Sequence, residues 1–591
     1  MKAVILRLNI PHMIKSAIIR HKEYIFVLWA FAMHLKCDPV SAVENVFFSD
    51  QTISSGIHYY NTCGSALKSY VVEAHGSGAA FFDADNDGDM DLYIANGSTL
   101  ETFRKQTGPG NVFYENLGDG TFTDNSTQSS LDHRGWGMGV TIGDINSDGL
   151  KDIYLTNYGP NTLFLNRGNL FFQDVSDSTH VSSNDFSASS AFLDFDNDGD
   201  LDLYVTNYVV FDAINRPENP NLCSFYGGIQ VYCGPKGLIG AEDRIYRNEG
   251  DANFTDVTKA SQIANSNSYY GLGVMPIDYN LDGWTDIFVA NDETPNVLFK
   301  NLSDGTFKDT ALLSGVAYNG DGDTEAGMGV DAGDYDNDGD FDLYVTHFFT
   351  ETNTLYNNNN DRFTDKTTIA GLAASTVDLL AWGTNFFDYD NDGLLDLFVA
   401  NGHVYPQVDN IDAGSKYRQP NQLFLNTGNG RFRPVESKGA LAKLKVSRGS
   451  SVADYDNDGD SDIFVVNLND SPSLLRNEID KSNNWIVIHL IGSEINRDAI
   501  GSRVSIETQN SIQWRYITGA GSYLSHNDIR AYIGLGNKDV VQAVNIFWHD
   551  GTESKITFPK TNKILAVKHN GDSRSFYLNE SNEIFVWGNG G

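Results

Sequence analysis

DYDNDGDFD, residues 334–342, places aspartates at positions one, three, five, seven and nine and a glycine at six. Alternate side chains on a tight loop converge on one point. Acids at one, three and five therefore wrap a hard cation in oxygen, position seven adds a backbone carbonyl, and the Asp at nine binds through both of its oxygens. The pattern DxDxDGxxD, with Asn allowed at position three and position seven free to vary, occurs seven times along the 591 residues. Its first aspartates are Asp83, Asp144, Asp194, Asp278, Asp334, Asp388 and Asp454. Working outward, five residues before each loop stands Gly78, Gly139, Ser189, Gly273, Gly329, Gly383 or Gly449, and thirteen residues after its start stands Asn96, Asn157, Asn207, Asn291, His347, Asn401 or Asn467. Between loop and Asn lies a β-rich apolar run (LYIA, IYLT, LYVT, IFVA, LYVT, LFVA, IFVV) with the character of a buried inner strand.

Each unit continues with a further strand such as NVFYEN or NQLFLN and, in most, a Gly-containing turn and a Phe-x-Asp segment. That makes a sheet of about four strands. Such sheets cannot bury both faces alone, so they stack around an axis. The expected fold class is all-β: a seven-bladed β-propeller plus a small C-terminal β-rich domain. The motif count leaves room for the ring to be closed by a strand from the N-terminal FFSD, Phe47 to Asp50.

The expected metal ligands are five per loop. They are Asp83, Asp85, Asp87, Asp89 and Asp91 in the first, Asp144, Asn146, Asp148, Leu150 and Asp152 in the second, and Asp194, Asp196, Asp198, Asp200 and Asp202 in the third. The fourth offers Asp278, Asn280, Asp282, Trp284 and Asp286, and the fifth Asp334, Asp336, Asp338, Asp340 and Asp342. The sixth offers Asp388, Asp390, Asp392, Leu394 and Asp396, and the seventh Asp454, Asp456, Asp458, Asp460 and Asp462. Position seven contributes only its carbonyl, so the Asp89 side chain points outward. Six or seven flexible oxygens favour Ca²⁺ over the stricter octahedron of Mg²⁺, which sets the expected cofactor at about seven Ca²⁺ ions. An EF-hand is excluded, because it needs Glu at position twelve, where this chain has Ile94, Leu155, Val205, Val289, Val345, Val399 or Val465.

Against 41 Lys and Arg stand 78 Asp and Glu, a net charge of -37, which opposes binding to nucleic acid or an anionic membrane. Lys2, Arg7, Lys15, Arg20 and Lys22 precede an apolar run from Tyr24 to Leu35 that is too short to span a bilayer, the layout of an export signal within residues 1–42. Cleavage after Ala32 and after Ala42 both fit, and an uncleaved anchor is the rival reading. With the signal removed no membrane insertion is expected, and the expected location is secreted, periplasmic or cell-surface. Cys223 and Cys233 flank a Gly227-Gly228 turn and suit a local disulfide in an oxidising compartment, whereas Cys63 has no obvious mate.

The loops and their flanks resemble FG-GAP or VCBS-type repeats. From Trp485, WIVIHLIG, NRDAIGSRV (Asn496 to Val504), GAGSYLSH (Gly519 to His526), YIGLG (Tyr532 to Gly536) and VNIFWHDG (Val544 to Gly551) are similar to the ASPIC/UnbV domain. Repeats plus that domain resemble the cartilage acidic protein family. Residues 570–591 hold no cysteine, so the likeness is to bacterial-type members without a further EGF-like module. The organisation expected is an export segment at 1–42, the propeller at 43–480, the ASPIC/UnbV domain at 485–570 and a tail at 571–591.

Long connectors follow the +13 position in repeats one (Gly97–Gly110), three (Tyr208–Glu242) and six (Gly402–Pro420), so they rise from one face of the disc, where repeat proteins bind partners. Tyr226, Tyr232, His403, Tyr405 and Tyr417 lie on these loops, either to stack on a ligand or to pack within the loops. No GxSxG elbow, HExxH helix, phosphate loop or dinucleotide fingerprint is present in the sequence. The expected function is a non-catalytic extracellular binding or adhesion module with a protein or glycan ligand. The alternative is a secreted calcium-dependent polysaccharide lyase or glycoside hydrolase.

Overall fold

The computed structural model describes residues 48–212, 222–264, 269–479, 482–509, 511–537 and 540–569, with the backbone of two further strands, Phe576–Leu578 and Ile584–Val586, which pair antiparallel. The export segment expected at 1–42 lies outside the described residues.

Each repeat makes one four-stranded antiparallel sheet. In blade 1 the order from the inside out is Ala79–Phe82, Asp91–Ile94, Val112–Asn116 and Phe122–Asp124. The first strands of blades 2 to 7 are Gly137–Gly143, Ser187–Leu193, Gly271–Ile277, Val330–Gly333, Ala381–Phe387 and Ser447–Ala453. In blade 7 the fourth strand is Phe48–Asp50, paired with Ser473–Asn477, so a segment preceding the first repeat completes the last sheet. Each first strand lies against those of its two neighbours all the way round. The β-branched and aromatic residues of the second strands are sandwiched between blades, as where Phe81, Leu92 and Tyr114 of blade 1 pack with Phe464 and Leu474 of blade 7. That burial on both faces explains why these runs are apolar throughout, whereas the outer Phe-x-Asp strands bury only their Phe.

A ring of asparagines ties the blades together. The Asn that ends each third strand donates Nδ2–H to the carbonyl of position two in the loop of the preceding blade. Asn166 reaches Ala84, Asn248 Ile145, Asn301 Phe195, Asn358 Tyr279, Asn426 Tyr335 and Asn477 Tyr389. Asn116 of blade 1 reaches Tyr455 of blade 7, which closes the circle. Asn301 is buried, and its amide spans Phe195 O at 2.7 Å and Thr285 O at 3.1 Å. Asn301→Ala leaves both carbonyls without this donor, so it is expected to cost ~2 kcal/mol in equilibrium unfolding, against almost nothing for Thr121→Ala in an exposed turn. Equal stability of the two variants would dismiss the stapling role.

The C-terminal domain is two packed sheets. One holds Asn484–Ile491 between Ala531–Gly536 and the parallel strand Ile564–Lys568, and the other has the order Ile512–Tyr516, Arg503–Glu507, Ala543–Phe547, Glu553–Thr557. Ile486, Ile488, Val504, Ile506, Val544 and Leu565 form its core.

This domain sits on the face of the ring that carries the aspartate loops, and its GAGSYLSHN segment, residues 519–527, runs into the axis. Thr141 of blade 2 donates to Gly519 O, Val330 N of blade 5 to Ser522 O, and Val140 N of blade 2 to Leu524 O. His526 N donates to Ala79 O of blade 1, Ser451 Oγ of blade 7 to His526 O, and Asn385 of blade 6 to Asn527 Oδ1. At the far end of the axis the Tyr523 hydroxyl meets His75 Nδ1 at 3.0 Å and its ring lies 4.9 Å from that of Trp382. Burial pushes His75 down to about 3, with Arg448 adding, so this imidazole is neutral. Arg448 is itself buried, stacked 4.1 Å from the Trp382 ring, and donates to the carbonyls of Ala74, Gly402 and Ser447.

Candidate metal centres and the insertion face

The seven loops share one local construction. In six of them position one accepts backbone N–H groups from positions five and six, as Asp83 Oδ1 does from Asp87 and Oδ2 from Gly88, at 3.1 and 3.0 Å, whereas Asp194 of loop three accepts only from Gly199. Position six needs positive φ, +95° at Gly88 and +98° at Gly339, which is why it is glycine in each copy. Position nine accepts from position two through one oxygen and from the third strand through the other, as Asp91 does from Ala84 and Asn116. These bonds hold both carboxylates before any ion is considered.

Positions one, three and nine converge in five loops. Asp83, Asp85 and Asp91; Asp194, Asp196 and Asp202; Asp334, Asp336 and Asp342; Asp388, Asp390 and Asp396; and Asp454, Asp456 and Asp462 each bring one oxygen apiece within 4.8 Å of one another. These five aspartate groups are positioned to hold metal ions. Loops two and four keep Asp144 with Asp152 and Asp278 with Asp286, but place the amides of Asn146 and Asn280 at position three. One oxygen of the Asp at five accepts the N–H of position seven: Asp87 from Asp89, Asp148 from Leu150, Asp198 from Asp200 and Asp282 from Trp284. Asp338, Asp392 and Asp458 do the same toward Asp340, Leu394 and Asp460. The Asp89 side chain points away from its loop and accepts from Asn457 of blade 7.

The acids fit a cation. Asp194 Oδ1, Asp196 Oδ1 and Asp336 Oδ1 are buried and accept no hydrogen bond, although native proteins pair nearly all such atoms. Burial, with neighbouring acids adding, drives the carboxyls up: Asp83 and Asp336 to about 6, Asp194, Asp334 and Asp454 to about 7, Asp91, Asp286 and Asp388 to about 8. A divalent ion removes that penalty by supplying the missing positive charge.

The loop Asn at position four was not singled out as functional by sequence reasoning, although DND recurs in five copies. It stands at φ near +60° and bridges to the next loop: Asn86 donates to Gly149 O, Asn197 to Gly283 O and Asn391 to Gly459 O. His347 takes over the +13 Asn, its Nδ1 meeting Thr352 O at 3.0 Å as Asn291 Nδ2 meets Pro295 O. The C-terminal domain reaches the loops directly. Lys151 at position eight of loop two pairs with Asp498, Arg497 Nε donates to Ser147 O, and Gly534 N donates to Asp388 Oδ2.

The connectors leave the opposite ends of the second strands, so the insertions occupy the other face. Cys223 and Cys233 form a disulfide across the hairpin Leu222–Ser224 and Gln230–Tyr232, and Cys63 is a buried free thiol. Most of the loop aromatics are not available to a ligand. Tyr232, His403 and Tyr405 are buried and Tyr417 packs against the same core, because the insertions of blades 3 and 6 converge, with Tyr232 and Tyr405 rings 4.9 Å apart. Only Tyr226 of the five is exposed, at 51 %. Among the described residues no helix is long and apolar enough to cross a membrane.

Stacked repeats built on aspartate turns and joined to a two-sheet domain define the class, and sequence comparison identifies both parts. Residues 83–155, 144–205, 278–345 and 409–493 match the FG-GAP-like repeat, and residues 492–574 match ASPIC and UnbV. The chain therefore carries FG-GAP-like repeats followed by a C-terminal ASPIC/UnbV domain, and it is homologous to cartilage acidic protein 1. Identity to the Mus musculus protein is 26% over 538 residues, 84% of this chain and 74% of that one. To the Homo sapiens protein it is 25% over 535 residues, 84% and 72%. The Xenopus tropicalis match, 27% identical over 278 residues, spans 45% of this chain and 40% of that protein. Among solved structures, an outer coat vertex of COPII on membranes covers 82% of this chain at TM-score 0.38 and 9% identity. An Agrocybe aegerita lectin recognising non-reducing terminal N-acetylglucosamine covers 66% at TM-score 0.37 and 15% identity. Likenesses that distant bear on nothing further. Neither matched family description names a reaction.

Proposed function

We propose that the protein is a calcium-loaded, extracellular, non-catalytic binding module. The observation that carries this reading is the set of converging aspartates with buried oxygens that accept no hydrogen bond. When bound, Ca²⁺ supplies the charge that keeps these loops folded against one another. The ligands offered to it are the acids at positions one, three and nine, with the amide oxygens of Asn146 and Asn280 completing the two remaining loops for about seven ions. The Cys223–Cys233 disulfide supports an oxidising compartment. The ASPIC/UnbV domain covers the loop face, so the insertion face is the one left to a protein or glycan partner.

The test is a pull-down from extracellular or periplasmic fractions with the calcium-loaded full chain as bait, repeated in EDTA. Partners held in calcium and released by EDTA support the module. Turnover of a polysaccharide, read as new reducing ends or unsaturated sugars, would replace this reading with an enzymatic one.

A further inference from the structure

Loops two and four differ from the other five in more than the amide at position three. In the five all-aspartate loops, four carboxylates crowd one turn, and no Lys or Arg lies among its nine residues. In loop two the Asn146 Nδ2–H donates to Asp148 Oδ2 at 3.0 Å, while its Oδ1 accepts the Asp148 amide at 3.1 Å. In loop four the Asn280 Nδ2–H donates to Asp286 Oδ2 at 3.4 Å, and its Oδ1 accepts the Asp282 amide at 2.9 Å. Both asparagines thus bring an N–H donor to a carboxylate oxygen that an ion would otherwise meet.

Each of the two loops also has a cation of the protein against it. Lys300 Nζ, on the third strand of blade 4, stands 3.3 Å from Asp282 Oδ2, and Arg503 of the C-terminal domain lines the same cleft as Asp278 and Asp282. Arg497 of that domain donates to Ser147 O at 2.9 Å and places Nε 3.9 Å from Asp144 Oδ2. Lys151 is paired with Asp498, so Arg497 is the positive charge left to loop two. Arg476 also comes within 3.9 Å of Asp456 in loop seven, but it is bound to Glu478, and position three of that loop is an acid. Buried carboxylate oxygens without a hydrogen bond occur in loops three and five, at Asp194, Asp196 and Asp336, whereas among the described residues none occurs in loops two and four. An amide in place of an acid removes one negative charge from the turn, and the adjacent cation offsets a second.

We propose that Asn146 with Arg497, and Asn280 with Lys300, do the ion's work in loops two and four, which therefore stay folded without calcium, whereas the five all-aspartate loops depend on it. The inference rests on the calcium-loaded reading and confines the structural effect of the ions to five blades. Calcium that enters the other two loops displaces contacts already made, so it is held weakly.

Amide hydrogen exchange of the full chain, read by mass spectrometry in calcium and in EDTA on peptides covering 144–152, 194–202, 278–286 and 334–342, tests this. The reporters are N–H groups bonded to loop carboxylates, such as those of Asp148 and Gly149, Gly199, Asp282 and Gly283, and Asp338 and Gly339. EDTA should speed exchange at least about tenfold in loops three and five and by less than about twofold in loops two and four. Asn280→Asp, which makes loop four all-aspartate, should move it into the calcium-dependent set, and Lys300→Met should move it the same way by less. Each variant is checked by circular dichroism for a folded chain in calcium, and Asn146→Asp stands in if Asn280→Asp fails that check. Loops two and four opening in EDTA as much as three and five, or the Asn→Asp variant leaving its loop insensitive to EDTA, overturns the proposal while leaving structural calcium intact. No change in any of the four loops removes structural calcium, and the proposal with it.

Discussion

Stripped of divalent ions by EDTA, the protein is expected to melt about 10 °C or more below its calcium-loaded form. A ligand at a hundred times its Kd adds ~2.7 kcal/mol per site, so five sites add ~13 kcal/mol, and a chain this long converts that at about 1 °C per kcal/mol. The pH dependence should also reverse between the two forms. Without metal, burial and neighbouring acids hold Asp83 and Asp336 near 6, Asp194, Asp334 and Asp454 near 7, and Asp91 and Asp388 near 8, against ~3.9 in the unfolded chain. The folded apoprotein therefore binds more protons than the unfolded chain. This contribution is complete below the unfolded value and is lost progressively as the pH rises from about 4 to about 8, so stability in EDTA falls across that window. With calcium present the ion takes the place of the protons, and stability rises with pH instead. Elemental analysis should show five tightly held ions and two that leave first on dilution. The weak pair belongs to loops two and four, where Asn replaces one acid and, in loop two, Arg497 Nε stands 3.9 Å from Asp144 Oδ2. Identical melting curves with and without EDTA, or apoprotein stability that climbs with pH, would refute structural calcium.

What the sequence discloses is what local geometry dictates. The loop needs acids at fixed spacing and a residue at positive φ at position six, so DxDxDG names it in each copy, and the apolar tetrapeptide after it names the strand buried on both sides. The closing strand at Phe48–Asp50 was also within reach, because the seventh unit lacks its own Phe-x-Asp segment. The convergence of the insertions was not. Tyr232, His403 and Tyr405 sit on loops that read as exposed, and become buried because segments about 170 residues apart in sequence meet on one face. Asn301 and its six equivalents recur visibly, yet the carbonyls they bind belong to the neighbouring blade, and no spacing within a repeat points there.

The glycines five residues before six of the seven loops were visible in the sequence, and their reason is the axis. Gly78 is the sharpest case, because a Cβ built there would stand 1.6 Å from the Leu524 carbonyl oxygen and 2.3 Å from its carbon. Gly449 is similar, with the Ser525 hydroxyl at 2.5 Å and the backbone of Gly78 at 2.9 Å. At Gly78 and Gly449 a side chain would collide with the segment threaded between the first strands, whereas blade 3 accommodates Ser189 there, its Oγ accepting the Leu524 amide. Gly78→Val must therefore expel residues 519–527 or spread the ring. The hydrogen bonds from blades 1, 2, 5, 6 and 7 to that segment are lost together, since they share one rigid strand of backbone. The expected cost exceeds ~3 kcal/mol, above the usual range for overpacking, because the neighbour is backbone and has no rotamer to escape into. Gly78→Ala should move in the same direction by less. Leu524→Ala, which keeps the carbonyl and deletes only the buried side chain, should cost ~2–5 kcal/mol without detaching the domain. Urea unfolding gives the energies, and limited proteolysis near residues 478–484 reports detachment, because a domain held only by that connector exposes it to cleavage. Wild-type stability and wild-type protease resistance in Gly78→Val would mean that the C-terminal domain does not enter the axis at all.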